Sequence, residues 1–240
     1  MKIANFFTLA TIFIAAFSFV SCGDDDDDNG NENGSGTEIV AGNHEYVDLG
    51  LPSGTLWATC NVGASKPEDY GDYFAWGETI PKEAYDWSTY KWFNSSGNTL
   101  IKYCTDSHYG TVDNKTELDS KDDAAIANWG SDWRMPDVEQ LSELYDDKNT
   151  TAVWTIQNGV RGLLITSKKN GMSLFLPAAG YRTTSGSLNN AGSFGYYWSC
   201  SLSTDYQSNA TSTYLGFVSD GIGFDYGYRS VGGSVRPVRK

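Results

Sequence analysis

"GSDWRMPDVEQLSELYDD", residues 130–147, sets one arginine and six acids around a single proline. Charge at this density is either a catalytic constellation or the start of a helix, and the fold follows from the choice. Asp137 comes directly after Pro136 and three residues before Gln140. At that spacing a carboxylate and an amide cap each other's backbone at a helix N-terminus. Val138, Leu141, Leu144 and Tyr145 then share one helical face, while Glu139, Glu143 and Asp146 lie off it. Acids in the first turn also meet the positive end of the helix dipole. Arg134 reads as a half-buried anchor to backbone carbonyls or a carboxylate. The stretch is a helix start.

Upstream, "ELDSKDDAAIANWG" (117–130) places Leu118, Ala125, Ile126 and Trp129 at helical spacing, with Gly130 as a stop. Residues 70–93, "YGDYFAWGETIPKEAYDWSTYKWF", follow neither period and read as packed, aromatic-rich loops pinned by Trp76, Trp87 and Trp92. Residues 45–62 read as two short strands about a Pro-Ser-Gly turn. Beyond residue 150 the pattern turns to strand. Asn158-Gly159 divides "AVWTIQNGVRGLLITS" into a hairpin, and Asn170-Gly171 repeats the device. "GYYWSCS", "TSTYLGFVSDGIGFDYGY" and "GSVRPVR" supply further strands. Pro237 lacks a ladder donor, which puts the last strand at an edge or a bulge. Two helices followed by antiparallel strands are an α+β order.

The chain opens with Lys2 and an uncharged run from Phe6 to Val20, closed by Ser21-Cys22. As a helix that run rises roughly 22 Å, short of the roughly 30 Å of a bilayer core, so a signal peptide over 1–21 is expected rather than a membrane span. The small residue before Cys22 resembles a bacterial lipoprotein signal, in which Cys22 becomes the acylated first residue. Phe19 stands where such signals usually carry an aliphatic residue. Residues 22–38 hold seven acids and no base, and are expected to form an extended acidic tether. Asp25, Asp27, Asn29 and Gly30 match half of a calcium-binding EF-hand loop, but Gly36 replaces its bidentate acid. A cysteine followed by acids resembles the export signal of surface lipoproteins in the Bacteroidetes, implying a lipid anchor on the outer face of an outer membrane.

Residues 39–240 carry 23 acids and 16 bases, a net charge of −7. That surface offers no electrostatic footprint for nucleic acid. About 200 residues make one domain. Eight Trp, fifteen Tyr and eleven Phe among many Gly favour strands and loops over a helical bundle. With Cys22 acylated, Cys60, Cys104 and Cys200 can form at most one disulfide, and spacing leaves the pairing open. There is no CxxC pair, and no zinc site or other cofactor is expected.

"YVDLGLPSGTLWATCNVGASKPEDYGDYFAWGET", "DDAAIANWGSDWRMP", "NGVRGLLITSKKNGMSLFLPAAGYR" and the closing "GYYWSCS…GGSVRPVR" resemble, in order, the Fibrobacter succinogenes major paralogous domain over residues 45–240. That family is similar in pattern to C-type-lectin-like folds, including the formylglycine-generating-enzyme group and the receptor-binding tips of some phages. The resemblance implies an α+β, C-type-lectin-like domain: two helices packed on a twisted, mainly antiparallel sheet, chain ends near each other, and a loop-rich face for recognition. It implies no ligand.

Formylglycine-generating enzymes bind copper with a cysteine pair near the C-terminus, whereas no cysteine follows Cys200. His44 and His108 form no metal or nucleophile motif, so a hydrolase lacks its base. The residues point instead to a non-catalytic binding module or adhesin for an extracellular glycan or protein. "GYRTTSGSLNNAGSFGYYWS" and "STDYQSNATSTYLG" are polar segments punctuated by Tyr, a composition that suits adaptable contact surfaces. Tyr196, Tyr197, Trp198 and Tyr214 read as core. Tyr181, Arg182, Asp205, Tyr206 and Asn209 are the candidate ligand contacts. EPN, QPD and WND triplets are absent, so calcium-dependent sugar binding lacks its motif. A structural subunit of a surface assembly, such as a fimbrial tip, is the alternative.

Overall fold

The computed structural model describes residues 37–39, 44–203 and 210–240. Signal peptide, Cys22 and all but the end of the tether lie outside them. Strand β1 (Thr37–Ile39) includes Thr37 and Glu38, the last residues assigned to the tether, and pairs with β2 (Glu45–Asp48). The turn at Gly54 leads to β3 (Leu56–Ala58), which also pairs with β2.

Two two-residue strands follow, β4 (Phe93–Asn94) and β5 (Thr99–Leu100). Helices α1 (Ala124–Trp129) and α2 (Val138–Glu143) come next. Strands β6 (Thr150–Gln157), β7 (Val160–Ser167) and β8 (Ser173–Pro177) form an antiparallel meander. A small pair, β9 (Tyr181–Arg182) and β10 (Leu188–Asn189), precedes a second meander of β11 (Gly195–Leu202), β12 (Thr211–Val218) and β13 (Gly221–Tyr228). The last strand, β14 (Val238–Arg239), pairs with β3 at the edge of the first sheet, and Pro237 precedes it without breaking a ladder.

This overturns the expected C-type-lectin-like α+β arrangement. The described residues are 8% helix and 36% strand, divided among five small antiparallel sheets. Both helices were foreseen, but each is only six residues long and cannot cover a sheet. Local chemistry explains their length. Asp123 caps α1, and Gly130, at φ 90°, ends it. Asp137 and Gln140 form the complete capping box of α2, but Leu144 already closes that helix, and the chain turns through Asp146 into β6. The apolar face read from Val138 to Tyr145 is therefore a single buried turn, with Leu141 and Leu144 inside.

β11 separates two cores. Side chains alternate across a strand, so Tyr197 enters an aliphatic core with Leu163, Ile165, Leu174, Leu215 and Phe217. Tyr196 and Trp198 enter an aromatic core with Phe74, Trp76, Tyr103 and Tyr214. Tyr196 stacks on Tyr214 at 3.7 Å, and Gly227 leaves room for its hydroxyl: a Cβ there would lie 1.6 Å from that oxygen.

Arg236 is buried without a carboxylate partner among the described residues, and donates to Asn61 Oδ1 at 2.9 Å and to the carbonyls of Ala58 and Thr59 at 3.1 and 2.6 Å. Burial lowers its pKa to about 10, so it stays charged at neutral pH. Arg134 behaves as the sequence indicated: half-buried, it donates to the Met135 carbonyl at 3.1 Å and lies 3.9 Å from Asp137.

Candidate functional site: an aromatic groove

Residues 70–113 run mostly without regular structure, and their polar aromatic atoms replace the missing ladders. Tyr73 Oη donates to the Ala179 carbonyl (2.6 Å), Tyr85 Oη to Tyr73 (2.5 Å) and Tyr90 Oη to Trp76 (2.7 Å). The indole N–H groups of Trp76 and Trp92 reach the carbonyls of Ser199 and Gly77 at 2.9 and 2.8 Å. Buried carbonyls that would otherwise lack partners are thereby satisfied.

On this frame Trp87, Phe93, Tyr109 and Tyr228 converge on one groove of about 480 Å³, with Asn98 and His108 supplying polar groups. Leu100 and Ala210 complete its wall. Asp86 accepts from the backbone N–H groups of Ser88 and Thr89 and from the Ser88 hydroxyl, forming the turn that presents Trp87. Those bonds, led by the Ser88 hydroxyl, hold the Asp86 carboxyl below its ordinary pKa. Trp87 leans on buried Tyr90 at 5.5 Å and on Phe93 at 5.0 Å. Tyr228, at the end of β13, meets Trp87 edge-on at 6.2 Å and is 59% exposed. Asp106 accepts from the His108 N–H at 2.8 Å, and the Tyr109 carbonyl accepts from Leu100 N–H at 2.8 Å, which aligns the opposite bank.

Close by in the chain, charge is paired. Lys102 bonds Asp119 at 2.5 Å and also bonds Asp122, while Lys115 bonds Asp119 at 2.6 Å and Lys91 bonds Asp122 at 3.2 Å. Burial opposes ionisation of Asp122, but Lys102, Tyr103 and Lys91 outweigh it and hold the carboxyl below its ordinary value. Lys102 and Lys115 lower Asp119 to about 2. Arg229 lies buried 5.6 Å from the Tyr90 ring and donates to the Tyr103 carbonyl at 3.0 Å. Among the described residues the groove is thus a mixed surface, aromatic faces beside hydrogen-bonding groups with no carboxylate, ammonium or guanidinium, a composition suited to holding a small polar molecule with apolar faces.

Of the candidate contacts named from sequence, Tyr181 and Arg182 do not line the groove. Tyr181 is half-buried against Phe194 and Tyr196, at 6.2 and 5.7 Å. Arg182 donates to the Gly186 carbonyl at 2.6 Å and lies 4.9 Å from the Tyr73 ring. Both act in the frame. Asp205, Tyr206 and Asn209 lie outside the described residues; Ala210, which follows them, lines the groove. Trp87 was read only as an anchor, and His108 only as a histidine without a catalytic partner. Neither reading reached the groove.

Cys104 and Cys200 are free thiols whereas Cys60 is disulfide-bonded, so none of the three pairings among Cys60, Cys104 and Cys200 that spacing left open is formed. Burial, with Glu117, Asp123 and Asp137 nearby, raises the Cys200 thiol to about 12, so it is almost wholly protonated at neutral pH. Among the described residues no group of three His, Cys, Asp or Glu side chains is placed to hold a metal ion. No protein family matches the chain, and neither curated proteins nor solved structures give a significant match.

Proposed function

We propose that this chain is a non-catalytic binding module of the Fibrobacter succinogenes major paralogous domain type, held at the outer face of an outer membrane by a lipid on Cys22, and that it recognises a glycan through the aromatic groove. The convergence of Trp87, Phe93, Tyr109 and Tyr228 on one open hollow carries the reading. Sugar rings present patches of C–H that stack on aromatic faces and hydroxyls that bond amide, imidazole and phenol groups. The groove offers both. Its described residues hold no nucleophile paired with a base, and the half-buried Cys200, its thiol held protonated, is a poor one.

The test is a glycan array with the intact body, Trp87→Ala and Tyr228→Ala, folding being checked by circular dichroism. Signals that vanish in both variants support the reading; signals that persist in both overturn it. For the anchor, mass spectrometry of the mature amino terminus should show acylation of Cys22, and Cys22→Ala should release the body from membranes.

A second reading, a structural subunit of a surface assembly, draws on β6. That strand is an edge with eight residues and no charge, glycine or proline, and it exposes Val153 and Ile156 by 57% and 62%. Such edges invite pairing with another chain. Co-purification with another surface subunit, lost on Val153→Lys, together with silence on the array, would favour it.

A further inference from the structure

We infer that the groove takes a single, uncharged saccharide chain, and takes neither the face of a crystalline polymer nor an anionic glycan. This rests on the glycan reading above and names the class of sugar. Two features of the same eight lining residues carry it.

The first is the angle between the rings. A flat array of polymer chains is met by rings lying in one plane, so that several sugars stack at once. Trp87 and Tyr228 instead stand at 74° to each other, Trp87 and Phe93 at 49°, and His108 and Tyr109 at 84°. Rings set in this way form a corner. One can stack on the face of a sugar while its neighbour meets the edge of the same sugar, and a flat surface cannot enter. A hollow of about 480 Å³ lies within the range of clefts that hold small molecules and has room for only a short stretch of chain.

The second is charge. Among the described residues lining the groove none carries a carboxylate, an ammonium or a guanidinium group, and His108 supplies the one imidazole. The cations close by in the chain are already engaged: Lys102 bonds Asp119 and Asp122, Lys91 bonds Asp122, and Arg229 is buried 5.6 Å from the Tyr90 ring with its Nη1 on the Lys102 and Tyr103 carbonyls. A uronate or sulfate group there would lose water without gaining a Lys or Arg counter-charge among the described lining residues, which is costly. The body's net charge of −7 adds long-range repulsion of polyanions. Cationic hollows exist elsewhere, one with Lys148, Lys168 and Lys169 and another with Arg134 and Arg239, so the neutrality belongs to the groove and not to the whole surface.

The experiment compares three classes of probe on the full body: soluble uncharged polysaccharides (a β-glucan, a galactomannan and dextran), soluble anionic ones (polygalacturonate and chondroitin sulfate), and microcrystalline cellulose and chitin. Affinity electrophoresis and titration calorimetry serve the soluble probes, and sedimentation the insoluble ones. The expected result is binding to at least one uncharged soluble chain. Its affinity should change less than about twofold between low and high salt, since no ion pair is formed. It should fall at least about tenfold in Tyr228→Ala, whose exposed side chain can be removed without disturbing the core. Binding to an anionic or crystalline probe that disappears in Tyr228→Ala and Trp87→Ala would overturn this inference and leave the glycan reading standing. Failure of every probe to bind, or binding untouched by either substitution, would overturn both.

Discussion

The loop-built region from residue 70 to 113 and the meander β6–β8 are both well packed, but they hold their backbones by different means. In the meander, ladder bonds run through an unbroken register, from Thr150 opposite Ser167 to Gln157 opposite Val160, and side chains need only be apolar on one face. In the loops, phenol and indole groups find the carbonyls one by one. A ladder tolerates substitution of most side chains because its bonds belong to the backbone. The loops cannot, since each aromatic residue is at once filler and hydrogen-bond donor. The loop region presents its side chains free of a strand's alternation, and most of the groove is built there.

The contrast can be broken most forcefully at Trp76. Trp76→Ala removes a fully buried ring and the donor to Ser199, and should cost about 3–5 kcal/mol. Amide exchange should then rise across residues 70–113 before it rises in β6–β8. Simultaneous loss would show that the two regions are one cooperative unit. Tyr90→Phe is subtler. It keeps the ring and orphans the Trp76 carbonyl, for an expected loss of about 1–3 kcal/mol in chemical denaturation. An unchanged midpoint would mean that the hydroxyl is not what secures that loop.

Acid should sharpen the difference. Asp119 at about 2 and Asp122 are both held below their ordinary 3.8. Their contribution is complete above pH about 4 and fades as the pH falls through their folded values. Lowering pH from 5 to 2 should loosen the Lys102 network first, read as a falling urea midpoint, and Lys102→Met should flatten that dependence. If Lys102→Met retains the full pH dependence, the network is not its source. The smallest effect is expected in the meander: Gly159→Ala, at φ 84° with open space around it, should cost only about 1 kcal/mol in thermal denaturation. A loss of several kcal/mol would give that turn a role beyond closing the hairpin.

How much of this was legible follows the same division. The α2 capping box and the Asn158-Gly159 hairpin involve residues within four positions of each other, and both stand in the sequence as they do in the fold. Helix length was misjudged because an apolar face extends to Tyr145, whereas Leu144 caps the helix. The split of β11 between two cores was half visible: Tyr196, Tyr197 and Trp198 were read as core, but not as facing two of them. The groove was not legible. Trp87, Asn98, Tyr109 and Tyr228 come from separate segments, and no period or motif relates them. Tyr181 and Arg182 looked available because they sit among polar residues, yet the Phe194, Tyr196 and Tyr73 rings that engage them come from other segments.

The central claim, that ligand enters at Trp87 and Tyr228, can be read directly from the eight indole N–H resonances of the protein, one for each Trp. On titration with a soluble uncharged oligosaccharide that the array identifies, the Trp87 resonance should shift most, while buried Trp57, Trp76 and Trp198 stay fixed. A Trp87 signal that stays fixed while another moves, for instance Trp133 beside the Arg134 and Arg239 hollow, would contradict the account.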